Sequence, residues 1–183
     1  MAKNDTRSKI LKSAAHIVQS DGILNLTLEA TAEKAGVSKG GLLYHFPSKD
    51  ALVAGMVQDP MQSYINNIEK NVDQDTVQHQ RGRWTRSFIK GTFGQRNPDK
   101  DMDAGLMAAA TINRDLLKPV QDAYEHWQDH IDNDGLDPIN ATILRLAVDG
   151  LWFSEIFDLA PLEENRRQQV LERLLQLTKE DQR

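Results

Sequence analysis

Helix stops at Gly22, Gly36 and Pro47 cut the first fifty residues into three pieces, each with helical periodicity. In "RSKILKSAAHIVQSDG", Ile10, Leu11, Ala14, Ile17 and Val18 recur at helical spacing before Gly22. "TLEATAEKAG" follows, with Thr27 as N-cap, Leu28, Ala32 and Ala35 on one face, and Gly36 as the stop. Ser38 opens a short helix over 38–45, Pro47 breaks the chain, and Ser48 caps a longer helix beginning "KDALVAGMV". Three short helices with a tight glycine turn between the second and third form the helix-turn-helix pattern.

The helical periodicity continues past residue 60. It predicts helices near 61–72, 76–94, 102–111, 114–133, 138–158 and 162–180, with Asn97-Pro98, Asp134-Gly135 and Ala160-Pro161 between some of them. Strand-like alternation is absent, so the fold class is all-α. Pro60 lies in what would otherwise be one long helix, and the loss of its N–H predicts a kink or break there. A chain of 183 residues can bury a substantial core in one or two domains.

"GVSKGGLLYHFPSKD" places Gly40 and Gly41 inside a helix, where each costs about 1 kcal/mol against alanine. A recognition helix entering a major groove about 12 Å wide explains bare backbone at its leading end. It lets the chain come close to phosphates and base edges. Ser38 at the cap, with Lys39, His45 and Lys49, adds polar or cationic contacts. The alternative is that the two glycines relieve crowding in a helical bundle. Charge agrees weakly with an anionic partner. The net charge is −5, yet residues 1–55 hold seven Lys and Arg against five Asp and Glu.

At "ILKSAAHIV", Gly22, Thr27, "AEKAGVSKG", Leu42, "YHF", "SK" and "AL", in register over roughly residues 6–56, the chain resembles the TetR family of bacterial transcription regulators. The resemblance implies an N-terminal three-helix helix-turn-helix DNA-binding head, residues 1–52. It also implies a C-terminal helical ligand-binding and dimerisation body, residues 53–183, and a homodimer on a palindromic double-stranded operator. Binding of a small-molecule effector would change DNA affinity, with repression the commoner behaviour. By position, Lys39, Gly40, Gly41, Tyr44 and His45 resemble recognition-helix contacts, with Ser38 at the cap. Thr27 and Lys49 resemble phosphate anchors, and Leu42 and Phe46 resemble buried positions. Leu43 stands where the family usually has tyrosine, and Thr31 where it usually has an aliphatic residue. Glu29 could accept from a cytosine amino group or stand as an exposed structural acid.

The body holds Trp84, Trp127 and Trp152 with Phe88, Phe93, Tyr124, Phe153 and Phe157. Each fits a packed core; together they also fit an apolar pocket with a few polar groups, among which Asn113, Asp149 and Glu155 are candidates. The expected effector is a small apolar or aromatic molecule, a cation included if Asp149 faces the rings. The expected lining is drawn from Met61, Tyr64, Phe88, Met107, Asn113, Trp127, Asp149, Trp152 and Phe153. Ile139, Ile143, Leu146, Ala147 and Gly150 share one stripe, and Val170, Leu171 and Leu174 another. Either stripe can pack within the chain or against a second copy, and the family resemblance implies the second copy.

His126 and His130, four residues apart, could bind a metal only with a third ligand; a solvated polar face is the reading preferred here, with no metal and no cofactor. The absence of cysteine excludes disulfides and thiolate metal sites. The N-terminus lacks a signal-peptide h-region, and no apolar run approaches the ~20 residues of a membrane span, so a cytoplasmic protein without a membrane partner is expected. Paired catalytic carboxylates in a motif, a nucleophile elbow and a phosphate loop are all missing, which argues against an enzyme.

Overall fold

The computed structural model describes residues 3–76, 81–93 and 100–180. They are helical with no strand among them: α1 (Lys3–Asp21), α2 (Leu28–Ala35), α3 (Lys39–His45), α4 (Lys49–Gln74), α5 (Arg83–Phe93), α6 (Lys100–Ile112), α7 (Lys118–Asp132), α8 (Pro138–Ile156) and α9 (Glu164–Leu177). Short 3-10 turns cover Ile23–Asn25 and Arg114–Leu117. Residues 77–80 and 94 of the expected 76–94 helix, and the Asn97-Pro98 break, lie outside the described residues.

Local signals account for the boundaries. Gly22 and Gly36 adopt the left-handed backbone (φ 85° and 60°) that ends α1 and α2. The side-chain oxygens of Thr27, Ser38 and Ser48 accept from the N–H groups of Ala30, Gly41 and Ala51, each at 3.0 Å, and so cap α2, α3 and α4. The expected 114–133 helix starts later, at Lys118. Pro119 has no N–H and is tolerated only in a first turn.

The helices gather into two compact units. The first takes Met1–Gln62 and Asp99–Gln121. Its core joins Ile10, Ala14, Ile17, Leu26, Ala35, Leu42, Phe46, Leu52, Val53 and Met56 to Ala104, Ala108 and Ala109 of α6. Thr31 is fully buried, but its hydroxyl donates to the Thr27 carbonyl at 2.7 Å, so the head's core loses little by it.

Pro60 does not break α4, which runs unbroken from Lys49 to Gln74. The carbonyl that a residue-60 N–H would have bonded is that of Met56, one turn back. Gly105 of α6 lies directly against that carbonyl, and a Cβ there would overlap it. The missing side chain at Gly105 lets α6 pass close to that carbonyl.

The second unit takes Ser63–Pro98 and Asp122–Arg183, with α5 packed on α8 and α9. Asp134 caps α5 from a distance, accepting from the N–H groups of Trp84 (3.0 Å) and Thr85 (2.8 Å). Arg86 and Asp75, each 1% exposed, form a two-bond ion pair, and Arg86 also donates to the Arg81 carbonyl at 2.6 Å. Arg167 ties α9 in by donating to Glu155 (2.7 Å) and to the Phe93 carbonyl (2.8 Å).

Candidate nucleic-acid interface and effector core

The head presents α3 on its surface. Leu42 and Phe46 face inward, while Lys39, Gly40, Leu43 and Tyr44 face out. Tyr44 is 69% exposed, and its ring meets the edge of His45 at 5.2 Å between centroids. A Cβ on Gly40 would meet nothing within 4 Å, and one on Gly41 would meet chiefly the Ser38 hydroxyl at 3.2 Å. Crowding therefore does not explain Gly40, and the bundle-packing alternative fails there. Thr27 and Ser38 both spend a lone pair on their own helix caps and remain exposed. Lys49 is half-buried at the start of α4.

A partner that the sequence reading did not assign is Glu29. Its Oε1 lies 2.6 Å from Lys39 Nζ, joining the first turns of α2 and α3. The hydrogen bond from Lys39 holds the Glu29 carboxyl below its ordinary range.

In the second unit, an aromatic cluster forms around Trp127, which is 1% exposed. Tyr64, Phe88 and Tyr124 meet its ring edge-on at 5.4, 5.7 and 5.2 Å. Tyr64 shares a hydrogen bond with Thr92. Tyr124 donates to Asp149 Oδ1 at 3.0 Å. Burial raises both phenols above the ordinary range, and it also raises the Asp149 carboxyl. Asp149 does face the rings, but Arg145, one turn earlier, donates to its other oxygen at 2.6 Å. Arg145 also donates to Gln128 at 2.6 Å. The acid's charge is therefore already matched, which weakens the case for a cation. The i,i+4 spacing of Arg145 and Asp149 was readable in the sequence; that both turn toward Tyr124 was not.

The remaining expected lining residues lie elsewhere. Phe153 is 51% exposed and meets Phe157 at a tilt, 4.6 Å between ring centroids, so it belongs to the outer face of α8. Trp152 is half-buried on that helix. Met61, Met107 and Asn113 belong to the first unit. Met61 is buried and Met107 exposed, while Asn113 caps the Arg114–Leu117 turn and donates to Asp50 at 3.1 Å. Trp84 stacks flat on His130 at 4.0 Å, with His126 against that same imidazole at 4.4 Å. His130 thus stacks on Trp84, and His126 stands edge-on beside it and remains exposed to solvent, as expected of that face. No group of three His, Asp or Glu is placed to hold a metal ion among the described residues.

Along α8, Ile139, Ile143, Leu146, Ala147 and Gly150 are exposed, opposite the buried Ala141, Leu144 and Val148. On α9, Val170 and Leu171 are half-buried. Leu174 departs from the expectation: it is buried within its own unit, because it sits on the inward face of α9.

Two family models cover most of the chain. "Bacterial regulatory proteins, tetR family" matches residues 10–56, and "Tetracyclin repressor-like, C-terminal domain" matches 82–179. The chain belongs to the TetR family. The first model's match falls on the N-terminal helix-turn-helix of this TetR-family chain, from within α1 into α4. It is 30% identical over 96 residues to the nucleoid occlusion factor SlmA of Marinomonas sp. (strain MWYL1), a match covering 52% of this chain and 48% of SlmA. The chain thus spans about half the length of that curated relative. The fold is shared with a Pseudomonas aeruginosa PAO1 protein described as a transcriptional regulator, at TM-score 0.75 and 17% identity over 98% of this chain and 93% of that one. It is shared too with a regulator from Saccharomonospora viridis solved in complex with choline, at TM-score 0.72 and 20% identity over 94% and 96%. No helix among the described residues of this TetR-family chain is long and apolar enough to cross a membrane.

Proposed function

We propose that the chain is a homodimeric, cytoplasmic repressor that leaves a palindromic operator when a small apolar or aromatic molecule binds its second unit. The observation that carries the DNA-binding part is the bare, unobstructed backbone at Gly40 between exposed Lys39 and Tyr44. In this reading Lys39, Gly40, Gly41, Tyr44 and His45 face the major groove, and Thr27, Ser38 and Lys49 hold phosphates. The apolar outer stripe of α8, continued by α9, is covered by the same stripe of a second copy. A symmetric partner places two α3 helices on two half-sites about one DNA turn or a multiple apart.

The effector site is the Trp127 cluster. Its rings already pack edge to face, so a ligand entering there must part Tyr124 or Phe88 from Trp127. The parted and closed arrangements supply two states of different ligand affinity, which coupling requires. A neighbour of the same fold was solved in complex with choline, which supports a small-molecule effector for this chain. A neutral aromatic molecule fits this chain better than a cation, because Arg145 already occupies Asp149.

The test is fluorescence anisotropy on operator-containing duplex, titrated with salt and then with aromatic ligands. Lys39→Ala and Tyr44→Ala should each weaken operator binding by about 5- to 150-fold. Lys49→Ala should weaken all sequences alike and flatten the salt slope. Trp127→Ala should keep operator binding but lose its response to ligand. Operator affinity indifferent to every ligand that binds would leave a constitutive DNA-binding protein and sink the effector part.

A further inference from the structure

We propose that Glu29 and Lys39 act together as one reader of a G·C base pair, Lys39 donating to the guanine and Glu29 accepting from the cytosine paired with it. This rests on the DNA-binding reading of the head. Glu29 is the second residue of α2 and Lys39 the first of α3, so the pair sits where two helix starts converge. Their side chains are 65% and 62% exposed, so the pair faces solvent with unused hydrogen-bonding capacity on both members. The lysine ammonium has three N–H groups and spends one on Glu29; the carboxylate has about four acceptor positions and spends one on Lys39 and one on its own backbone N–H.

The major-groove edge of G·C shows two adjacent acceptors, N7 and O6 of guanine, and next to them the N4 amino donor of cytosine. The two spare N–H groups of Lys39 match the adjacent acceptors, and a Glu29 oxygen matches the donor. An A·T pair breaks this match, because its donor lies between two acceptors and the thymine methyl flanks the outer one. Lys39 is the only Lys or Arg in α3, so no other cation on that helix competes for the guanine. The pair is also neutral as a unit, so it adds little to sequence-independent attraction to phosphate. It therefore bears on which sequence is bound more than on how tightly DNA in general is held.

The experiment is selection from a randomised duplex library, followed by dissociation constants on the selected duplex and on copies with one G·C replaced by A·T. The wild type should prefer G·C at one position of each half-site by about 5- to 150-fold. Glu29→Ala and Lys39→Ala should each bring that position close to parity and leave preferences elsewhere intact. The double variant should be no less selective there than either single one. Glu29→Ala that keeps the wild-type preference at every position would overturn the proposal. So would Glu29→Ala that shifts affinity for all sequences alike, the signature of an acid that merely tethers Lys39 or repels phosphate. A wild-type chain that enriches no sequence at all would instead overturn the DNA-binding reading beneath it.

Discussion

Gly40 weakens α3, and a Cβ added there would meet nothing within 4 Å. Alanine in its place should raise stability by up to about 1 kcal/mol in a thermal or denaturant melt, since helix propensity improves and no neighbour must move. The same change should weaken operator binding, because a methyl group then stands between the backbone and DNA. A variant that is more stable and binds operator equally well would show that the glycine serves no contact. Arg86 is the opposite kind of residue, a buried charge held by Asp75 and the Arg81 carbonyl. Arg86→Ala removes the guanidinium that answers the buried Asp75 carboxylate, which should cost about 3–5 kcal/mol in urea unfolding. Neither value could be read from the sequence. A glycine is the same letter in open space or under a helix, and Arg86 is one arginine among many until Asp75 is seen beside it.

Among the elements, α4 and α6 depend on each other. Pro60 takes away the N–H that would bond the Met56 carbonyl, and the Gly105 backbone lies on that carbonyl. Gly105→Ala must push α6 away from α4, and α6 carries Ala104, Ala108 and Ala109 into the first unit's core. The variant should lose several kcal/mol of stability, since overpacking a tight site costs about 1–3 kcal/mol and here the obstacle is backbone. Circular dichroism melts of Gly105→Ala beside Gly150→Ala, whose Cβ meets nothing within 4 Å, would measure the difference. Comparable melting temperatures for the two would refute the crossing. The caps, the glycine stops and the register of the apolar faces were all legible beforehand, because each is set within about four residues of chain. The close pass of Gly105 over the Met56 carbonyl was not, because it joins residues on two helices far apart in the chain.

For the whole molecule, the outer stripe of α8 is the feature with the largest consequence. Ile139, Ile143 and Leu146 are 71%, 56% and 53% exposed, with Phe153 and Phe157 extending the row. If a second copy covers this stripe, Leu146→Asp places two charges face to face across the two-fold axis. It should convert the dimer to a monomer by light scattering and abolish tight operator binding, while the head itself stays folded. An unchanged dimer would move the interface elsewhere. The aromatic cluster bears on the same scale. Tyr64, Phe88, Trp127 and Asp149 of the expected lining do converge, and Phe153 turns out toward the stripe. Periodicity places residues on a helix face but does not say which neighbour that face will meet.

By itself the sequence determined the all-helical class, the helix stops at Gly22 and Gly36 and the three hydroxyl caps. These follow from backbone conformation and hydrogen bonding within single turns. Only the tertiary structure decided that α6 completes the first unit's core, that Asp134 caps α5, that Arg145 answers the charge of Asp149, and that Glu29 reaches Lys39. The Asp134 cap joins residues about fifty positions apart, and α6 meets α1 across a longer stretch of chain. Glu29 and Lys39 are close in sequence but lie on different helices. Such meetings depend on how whole helices pack, and no turn-scale preference encodes that.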